Sequence, residues 1–311
     1  AENRLSRQRH SGLGRAMIQK GFGGATHVFT MLGEGGPFVS EAFQRGLTVV
    51  AEVYILLAAE RIVEEERRAF PEWEDESPDF SSIRKRFQSQ DDFFRVISRY
   101  ICPSEAVQND LVTNWGVPRE RTSLVPYGMS PQWLKLESKP VKGRILFVGT
   151  ADLRKGIHYL AMAAERLTNR GLNYEFRVAG NVTDQVRKQP LSRYLTFLGR
   201  VPRDRIHEEF QQADVFVLPS LAEGSAEVTY EALAAGVPLV VTPAAGSVAR
   251  DGIEGRIVPE RDPIAFAHAI ESIVEDRPLR DRMAIAARER AQNYTWEKYG
   301  EKLVQSLTSL T

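Results

Sequence analysis

The sequence predicts an α/β protein built on parallel β-sheets. Short apolar runs rich in β-branched residues, such as DVFVLPS and PLVVTP, are typical of buried parallel strands. The segment between these two runs, AEVTYEALAA, has the pattern of a crossover helix, and Gly236 ends it. Strand and helix patterns alternate in this way from Gly143 to about Asn293, which predicts right-handed crossovers and helices on both faces of a sheet.

The second half of the chain opens with a predicted strand over Arg144–Val148. A turn containing Gly149 and the run Arg154-Lys155-Gly156 follows, and an amphipathic helix comes next. Further strands are predicted in YEFRVAG and LTFLG, with another amphipathic helix in RDRIHEEFQQA. In a doubly wound sheet of this kind, the turn after the first strand lies at the carboxyl edge, where ligands bind.

The first half contains fewer recognisable elements. Strands are predicted in THVFTML and LTVVAEVYIL, with a helix in PFVSEAFQRG between them, and ISRYICPSEAVQNDLVTNWGV reads as strand, turn and helix. A Rossmann-like domain has about six βα steps, so three strands indicate an incomplete first domain. The polar, proline-containing segment Pro131–Lys142 is the predicted linker. We place the domains at residues 1–136 and 137–293, followed by a terminal helix over 294–311.

Polar and histidine-containing segments give little sign of a site of their own. The stretch from Ile62 to Asp92 mixes charges of both signs with proline, and we expect a solvated helix and a surface loop. His158 and His207 are expected on helix surfaces. The five histidines lack the close spacing or cysteine partners of zinc sites, so no metal site is expected. The absence of a Gly-x-Ser-x-Gly elbow argues against a serine nucleophile.

Composition restricts the class of protein. The 41 basic and 41 acidic residues balance, so binding to nucleic acid through a strong positive field is not expected. Cys102 is the only cysteine, which excludes an internal disulfide and favours a reducing, cytoplasmic compartment. No apolar run reaches the length of a membrane span. Basic residues cluster at Arg4, Arg7, Arg9, Arg15 and Lys20. This cluster leaves two interpretations open, a solvated helix and peripheral contact with an anionic membrane.

Two glutamates flank the turn and helix that follow DVFVLPS. Glu223 lies in the turn, and Glu231 lies eight residues further, about two helical turns along. This spacing allows the two carboxylates to contact distant parts of one elongated ligand, while the helix start attracts phosphate. The alternative from spacing alone is that Glu227 offsets the helix dipole, Glu231 is solvated and Glu223 is a loop charge.

The run PSLAEGSAEVTYEALAAGVP resembles the donor-site signature of retaining glycosyltransferases with the GT-B fold, the family 4-like enzymes of glycosyl transferases group 1. The resemblance implies two Rossmann-like domains with parallel sheets, a donor between them and a terminal helix crossing back to the first domain. It implies that Glu223 contacts the transferred sugar and that Glu231 holds the nucleotide ribose. Lys155 matches the family's phosphate-binding lysine.

The remaining site residues follow from this resemblance and, for Arg154, from its place beside Lys155, since Arg154 has no equally clear counterpart in the family. Lys155, Glu223 and Arg154 are the catalytic candidates, and Glu231 is joined in donor binding by the backbone at Gly149, Val201, Gly224 and Ser225. Two departures from the family pattern stand out. Thr150 replaces an arginine, so one of the two expected phosphate cations is missing unless Arg154 substitutes for it, and Ser247 replaces a glutamate.

The predicted activity is transfer of a sugar from a nucleoside diphosphate sugar to an acceptor hydroxyl, with retention of configuration. The family accepts UDP and GDP donors, and the acceptor is not identified by the sequence. No cofactor or metal ion is expected in that scheme. A nucleotide-sugar epimerase or a phosphorylase is a weaker alternative, because the glutamate pattern opposes it. Thr150 and Ser247 keep open a non-catalytic GT-B subunit that only binds nucleotide sugar.

Overall fold

A computed structural model describes residues 12–33, 37–74 and 91–308 of the chain. Three of the clustered basic residues, Arg4, Arg7 and Arg9, lie outside the described residues. The described residues form two compact units. The first unit comes from within 1–54, 77–125 and 300–311, and the second comes from within 55–76 and 126–299.

The strands alternate with helices along most of the chain. The β-strands are β1 (His27–Met31), β2 (Thr48–Glu52), β3 (Arg99–Cys102), β4 (Thr122–Leu124), β5 (Arg144–Val148), β6 (Glu175–Ala179), β7 (Thr196–Gly199), β8 (Val215–Leu218), β9 (Leu239–Val241) and β10 (Gly255–Ile257). The α-helices are α1 (12–20), α2 (Pro37–Gln44), α3 (Ala59–Ala69), α4 (Asp91–Val96), α5 (Glu105–Trp115), α6 (Ile157–Asn169), α7 (Asp184–Lys188), α8 (Ile206–Gln212), α9 (Glu227–Ala234), α10 (Pro263–Glu275), α11 (Arg277–Ala291) and α12 (Trp296–Thr308).

The first unit contains a four-stranded parallel sheet with the strand order β1-β2-β3-β4. The three predicted strands and the helices α2 and α5 are confirmed. Ser104 caps the start of α5 by accepting the Val107 amide, and Gly116 ends that helix in the left-handed conformation. The fourth strand, β4, was not predicted, because three residues are too few to show a strand pattern.

The second unit contains a six-stranded parallel sheet with the order β10-β9-β8-β5-β6-β7. This is the strand order of a doubly wound dinucleotide-binding sheet, and the strand order reverses between β5 and β8. All four residues of β8 are buried, which explains the continuous apolar run in the sequence. The predicted parallel α/β architecture is therefore confirmed, with a topological switch point at the carboxyl ends of β5 and β8.

The units differ from the predicted domain ranges in several places. Residues 55–74 and 126–136 belong to the second unit, whereas residues 300–308 of α12 belong to the first. Side-chain packing explains part of the difference, since Trp133 of the predicted linker lies in a 3-10 helix and packs on Phe210 with ring centroids 5.0 Å apart.

The terminal helix α12 begins at Trp296, which has 41 % of its surface exposed and contacts the rings of Tyr127 and Tyr299.

Candidate active site

Two loops at the switch point of the second sheet approach each other closely. The turn after β5 ends at Gly156, whose φ of +71° is in the left-handed region. A Cβ atom at this position would lie 2.0 Å from the carbonyl oxygen of Pro219 in the loop after β8. The amide of Leu221 donates to the carbonyl of Arg154 over 2.8 Å and joins the same loops. The close approach requires glycine at position 156.

This approach brings three predicted catalytic side chains together. The Nζ atom of Lys155 lies 2.5 Å from Oε1 of Glu223, and a guanidinium nitrogen of Arg154 lies 2.8 Å from Oε2. Arg154 also donates to the carbonyl of Ala222 over 2.9 Å. One carboxylate therefore contacts both cations, and all three side chains are largely buried. We call Arg154, Lys155 and Glu223 the charge cluster.

Charges in and beside the charge cluster determine the protonation states of Arg154 and Asp152. Burial disfavours the charged guanidinium of Arg154, but the carboxylates of Glu223 and Asp152 outweigh burial and raise the Arg154 pKa. Burial raises the pKa of Asp152, although the positive charge of Arg154 opposes that shift. Asp152 also accepts the Lys155 amide over 2.8 Å, which closes the turn. Arg154 therefore remains a cation at any physiological pH.

A cleft of about 700 Å³ opens beside the charge cluster, at the carboxyl ends of β5, β6 and β7. Its lining contains the predicted donor-binding residues Gly149, Val201 and Glu231. Thr150 also lines it, at the position where the family pattern has an arginine. Gly149 connects this cleft with the charge cluster, because a Cβ atom on Gly149 would lie 2.9 Å from Cδ of Lys155. The remaining lining residues are Trp133, Val148, Ala179, Gly180, Asn181, Arg200, Pro202, Arg203 and Ile206.

Glu231 has an unusual ionisation equilibrium for a glutamate on a helix. Burial and the nearby charge of Glu227 raise its pKa from 4.5 to about 7, and the positive charge of Arg203 opposes the shift. The carboxyl group is thus near its midpoint at neutral pH. Groups with strongly shifted pKa values are common at functional sites, because burial and neighbouring charges are arranged there to tune their protonation.

Gly224 and Ser225 follow Glu223 in the loop after β8, and both are buried. The Ser225 hydroxyl donates to the carbonyl of Gly246 over 2.7 Å and lies 2.7 Å from the Tyr230 hydroxyl. These contacts fix the start of α9 against the loop after β9. The Ser225 side chain is therefore structural, and any role in phosphate binding falls to its backbone.

The loop after β9 contains Ser247, where the family pattern has a glutamate. Its hydroxyl accepts the Ala249 amide over 3.2 Å, so its interaction is local. A carboxylate does reach this loop from elsewhere in the sequence. Oε1 of Glu260, in the segment after β10, accepts the Ala244 amide over 3.0 Å.

Sequence reasoning missed a buried polar network beside the charge cluster. Glu66 of α3 is buried, and one of its carboxylate oxygens lies 3.0 Å from both His158 Nε2 and the Tyr159 hydroxyl. Arg261 donates to the other oxygen. The expectation of a surface His158 is therefore wrong, and so is that of a fully solvated helix after Ile62, since α3 packs on α6 through Glu66. Residues 75–90, where the surface loop was expected, lie outside the described residues. The mixture of Glu and Arg in this part of the sequence gave no sign of which charge is buried.

The burial and hydrogen bonds of this network determine the protonation states of His158 and Glu66. Burial lowers the pKa of His158, although Glu66 opposes the shift, so the imidazole is neutral at neutral pH. Burial alone would raise the pKa of Glu66, but hydrogen bonds from His158 and Arg261 outweigh it and lower that pKa. Glu66 is therefore the fixed anion of the network.

His207, the other histidine expected on a helix surface, is partly buried. Its ring centroid lies 4.6 Å from that of Trp133.

Two kinds of feature are absent from the described ranges, 12–33, 37–74 and 91–308. Within them, no group of three His, Cys, Asp or Glu residues is arranged to hold a metal ion. None of the helices in those ranges is long and apolar enough to cross a membrane.

Comparison with known proteins identifies the family. The family model of glycosyl transferases group 1 matches residues 134–290, about half of the chain and most of the second unit. The chain belongs to the glycosyl transferases group 1 family. The match includes the charge cluster and all of the cleft lining except Trp133. It confirms the predicted resemblance to glycosyl transferases group 1.

Curated relatives match the same part of the chain. A D-inositol 3-phosphate glycosyltransferase from Corynebacterium diphtheriae is 32 % identical over 171 residues, covering 50 % of this chain and 40 % of the relative. A phosphatidyl-myo-inositol mannosyltransferase from Mycolicibacterium smegmatis is 34 % identical over 178 residues, covering 55 % of this chain and 46 % of the relative. The chain thus spans less than half the length of these two relatives.

Solved structures match over more of the chain. A sucrose-phosphate synthase from Thermosynechococcus elongatus has a TM-score of 0.70 at 21 % identity, covering 92 % of this chain and 73 % of that protein. The Anabaena HepE protein in complex with UDP has a TM-score of 0.64 at 17 % identity, covering 87 % of this chain and 75 % of that protein. These matches confirm the GT-B fold, with two Rossmann-like domains.

Proposed function

We propose that the chain transfers a sugar from a nucleoside diphosphate sugar to an acceptor hydroxyl, with retention of configuration. The observation that carries this proposal is the charge cluster at the switch point, next to a cleft with Glu231 in its wall. Family membership supports a transferase. Open α/β sheets bind nucleotides at the switch point, where the first turn accepts the diphosphate.

We assign one part of the donor to the cleft and the other part to the charge cluster. We assign the ribose to Glu231, because a carboxylate can accept hydrogen bonds from two adjacent hydroxyls. The backbone at Val201, beside Arg200 in the cleft wall, is assigned to the base. The diphosphate is assigned to Lys155 and Arg154, with the transferred sugar at Glu223. Gly149 lies where the ribose and the diphosphate would join, since it borders both regions.

In the proposed reaction the cations stabilise the departing diphosphate. The bond between the anomeric carbon and the phosphate oxygen breaks, and the acceptor oxygen bonds to the same face of the sugar. The hydroxyl proton passes to the released diphosphate. Lys155 and Arg154 offset the negative charge that develops on the phosphate, an interaction that is stronger in the transition state than in the ground state. A divalent cation is not required in this scheme.

UDP is the first candidate for the nucleotide, and GDP is the second. Structural neighbours such as the Anabaena HepE protein were solved with UDP, which supports this order. The side chains of the cleft do not by themselves distinguish the two bases, so the choice is left to experiment. Two relatives named for inositol-containing acceptors suggest a polyol hydroxyl as the acceptor class.

The proposal is tested by incubating the purified chain with a panel of UDP-sugars and GDP-sugars. Release of the nucleoside diphosphate is measured with and without a polyol acceptor, in EDTA and in added Mg²⁺. We expect turnover with at least one donor, unchanged by EDTA, and an α-configured product from an α-linked donor by NMR. Tight donor binding without any release would contradict transfer, and an inverted product would contradict retention.

A further inference from the structure

Residues 55–74 of the second unit contact both loops of the charge cluster. This segment, which we call the strap, contains α3 and the turn that follows it. At its start, the Leu56 amide donates to the carbonyl of Glu223 over 3.3 Å. At its end, the Glu74 carboxylate accepts the Leu153 amide over 2.5 Å. The strap therefore connects the Glu223 loop with the turn that carries Arg154 and Lys155.

The Glu74 contact is placed where it affects Lys155. Leu153 is buried and lies between Asp152, which caps the Lys155 amide, and Arg154 of the charge cluster. The other oxygen of Glu74 accepts from Arg67 of α3 over 3.0 Å, which fixes the carboxylate on the strap. Removal of Glu74 would leave a buried main-chain amide in the phosphate-facing turn without its acceptor.

Glu66 fixes the middle of the strap. Its buried carboxylate accepts from three residues that follow β5 and β10, namely His158, Tyr159 and Arg261. Arg261 has a φ of +61°, the one positive φ outside glycine among the described residues. A residue other than glycine rarely adopts the left-handed backbone conformation, which persists only where surrounding contacts hold it. For Arg261, the Glu66 carboxylate supplies such a contact. The preceding residue, Glu260, holds the loop after β9 through Ala244.

From these contacts we propose that the strap positions the phosphate-binding turn, with Glu74 and Glu66 as its positioning residues. This inference rests on the proposed donor site. Glu74 holds the turn of Lys155 directly, and Glu66 holds the strap on α6, the helix that this turn begins. Neither side chain is expected to contact the nucleotide. Their effect on binding should therefore be confined to the diphosphate, which Lys155 and Arg154 recognise.

Calorimetry with UDP and UMP on the full chain tests this, with GDP and GMP measured in parallel. Glu74→Ala should weaken diphosphate binding by about three- to tenfold, the range expected for one lost hydrogen bond. Monophosphate binding should change by less than about twofold, because UMP lacks the phosphate next to the sugar. Glu74→Gln keeps an oxygen acceptor for the Leu153 amide and should restore the affinity for UDP.

Asp276→Ala is the matched control. The Asp276 carboxylate also accepts a main-chain amide, that of Leu279, over 2.9 Å. It lies after Glu275, which pairs with Lys142 just before β5, so it is at the amino edge of the sheet. This variant should bind UDP and UMP like the unchanged chain, even if its melting temperature falls as far as that of Glu74→Ala.

The outcomes separate the two proposals. If the unchanged chain binds neither UDP nor GDP, the donor-site proposal fails and the strap inference fails with it. If the unchanged chain binds UDP and Glu74→Ala binds it equally well, only the strap inference is overturned. Equal losses for UDP and UMP would also overturn it, because they would show a general structural role instead of positioning of the diphosphate site.

Discussion

The Nζ atom of Lys155 lies 2.5 Å from Oε1 of Glu223, although the two residues are 68 positions apart in the chain. The contact exists because parallel strands β5 and β8 are neighbours in the sheet, so the loops after them meet. Glu223 thereby orients the two cations before any ligand enters. Preorganised charges of this kind stabilise a transition state with little reorganisation during the reaction.

Lys155→Ala should reduce turnover more than it reduces donor affinity. We expect kcat to fall by about 10²- to 10³-fold, because removal of one donor that stabilises developing charge has effects of this size. The dissociation constant for the donor should rise less. Steady-state kinetics and calorimetry with the same UDP-sugar measure the two quantities. Lys142→Ala, which removes a surface lysine paired with Glu275, is the control. A weaker donor affinity with unchanged kcat would restrict Lys155 to binding.

Glu231→Ala should weaken binding of the nucleoside diphosphate. The loss of charge-assisted hydrogen bonds to the ribose is expected to cost about 1.5 to 3 kcal/mol of binding free energy. Calorimetry with UDP measures it, and a 2′-deoxy, 3′-deoxy analogue should show no further loss in the variant. Glu227→Ala, in the exposed first turn of the same helix, is the control and should retain affinity at high pH. Unchanged affinity in Glu231→Ala would contradict the ribose assignment.

The raised pKa of Glu231 predicts a pH-dependent affinity. Ionised carboxylate accepts stronger hydrogen bonds than the acid, so UDP affinity relative to Glu231→Gln should rise as pH rises through about 7. The comparison with Glu231→Gln cancels titration of the ligand phosphate. Glu227→Ala removes a nearby negative charge and should shift the midpoint to lower pH. A flat ratio between pH 5.5 and 8.5, a range chosen to span about 7, would contradict the prediction.

The same pKa predicts a pH effect on stability of the opposite sign. Folding raises the Glu231 pKa above its ordinary value of 4.5, so the folded state binds the proton more tightly than the unfolded state. The free energy of unfolding, relative to Glu231→Gln, should therefore decrease as pH rises from about 4.5 to about 7 and then level off. Chemical denaturation at several pH values measures this difference. An increase with pH would show that the carboxyl is not desolvated in the folded protein.

Gly156→Ala should destabilise the second unit and abolish donor binding. The substitution places a Cβ atom 2.0 Å from the Pro219 carbonyl, in a left-handed backbone. Gly171→Ala separates the two effects, since Gly171 also has positive φ but a Cβ there contacts nothing within 4 Å. We expect a cost of about 1 to 2 kcal/mol for Gly171→Ala from backbone strain, and a larger cost for Gly156→Ala. Denaturant unfolding measures both losses of unfolding free energy. Equal losses for the two variants would show that the loops separate easily.

The sequence predicted the elements whose residues show a strong local pattern. The apolar run in β8, the helix spacing in α6 and the glycine stop at Gly236 depend on neighbouring residues, so they are visible without a structure. The site residues were predicted by family resemblance. The structure brings Lys155, Arg154 and Glu223 into contact and places Glu231 in the nearby cleft.

The strap could not be predicted, for a physical reason. Residues 60–68, ERIVEEERR, place Glu and Arg at spacings that fit exposed ion pairs between neighbouring helical turns, and Arg61–Glu65 is such a pair. Glu66 differs only because His158, Tyr159 and Arg261, all at least 92 positions away, surround it. Partners at that distance come from the tertiary fold, which no local pattern encodes.

A crystal structure of the chain with bound UDP tests the central claim most directly. The account predicts diphosphate oxygens within about 3 Å of Lys155 Nζ and of the Arg154 guanidinium, at ordinary hydrogen-bond distance. It also predicts both ribose hydroxyls on the Glu231 carboxylate and the base beside Val201. UDP bound away from this cleft, or in it with the diphosphate directed away from Lys155, would contradict the account.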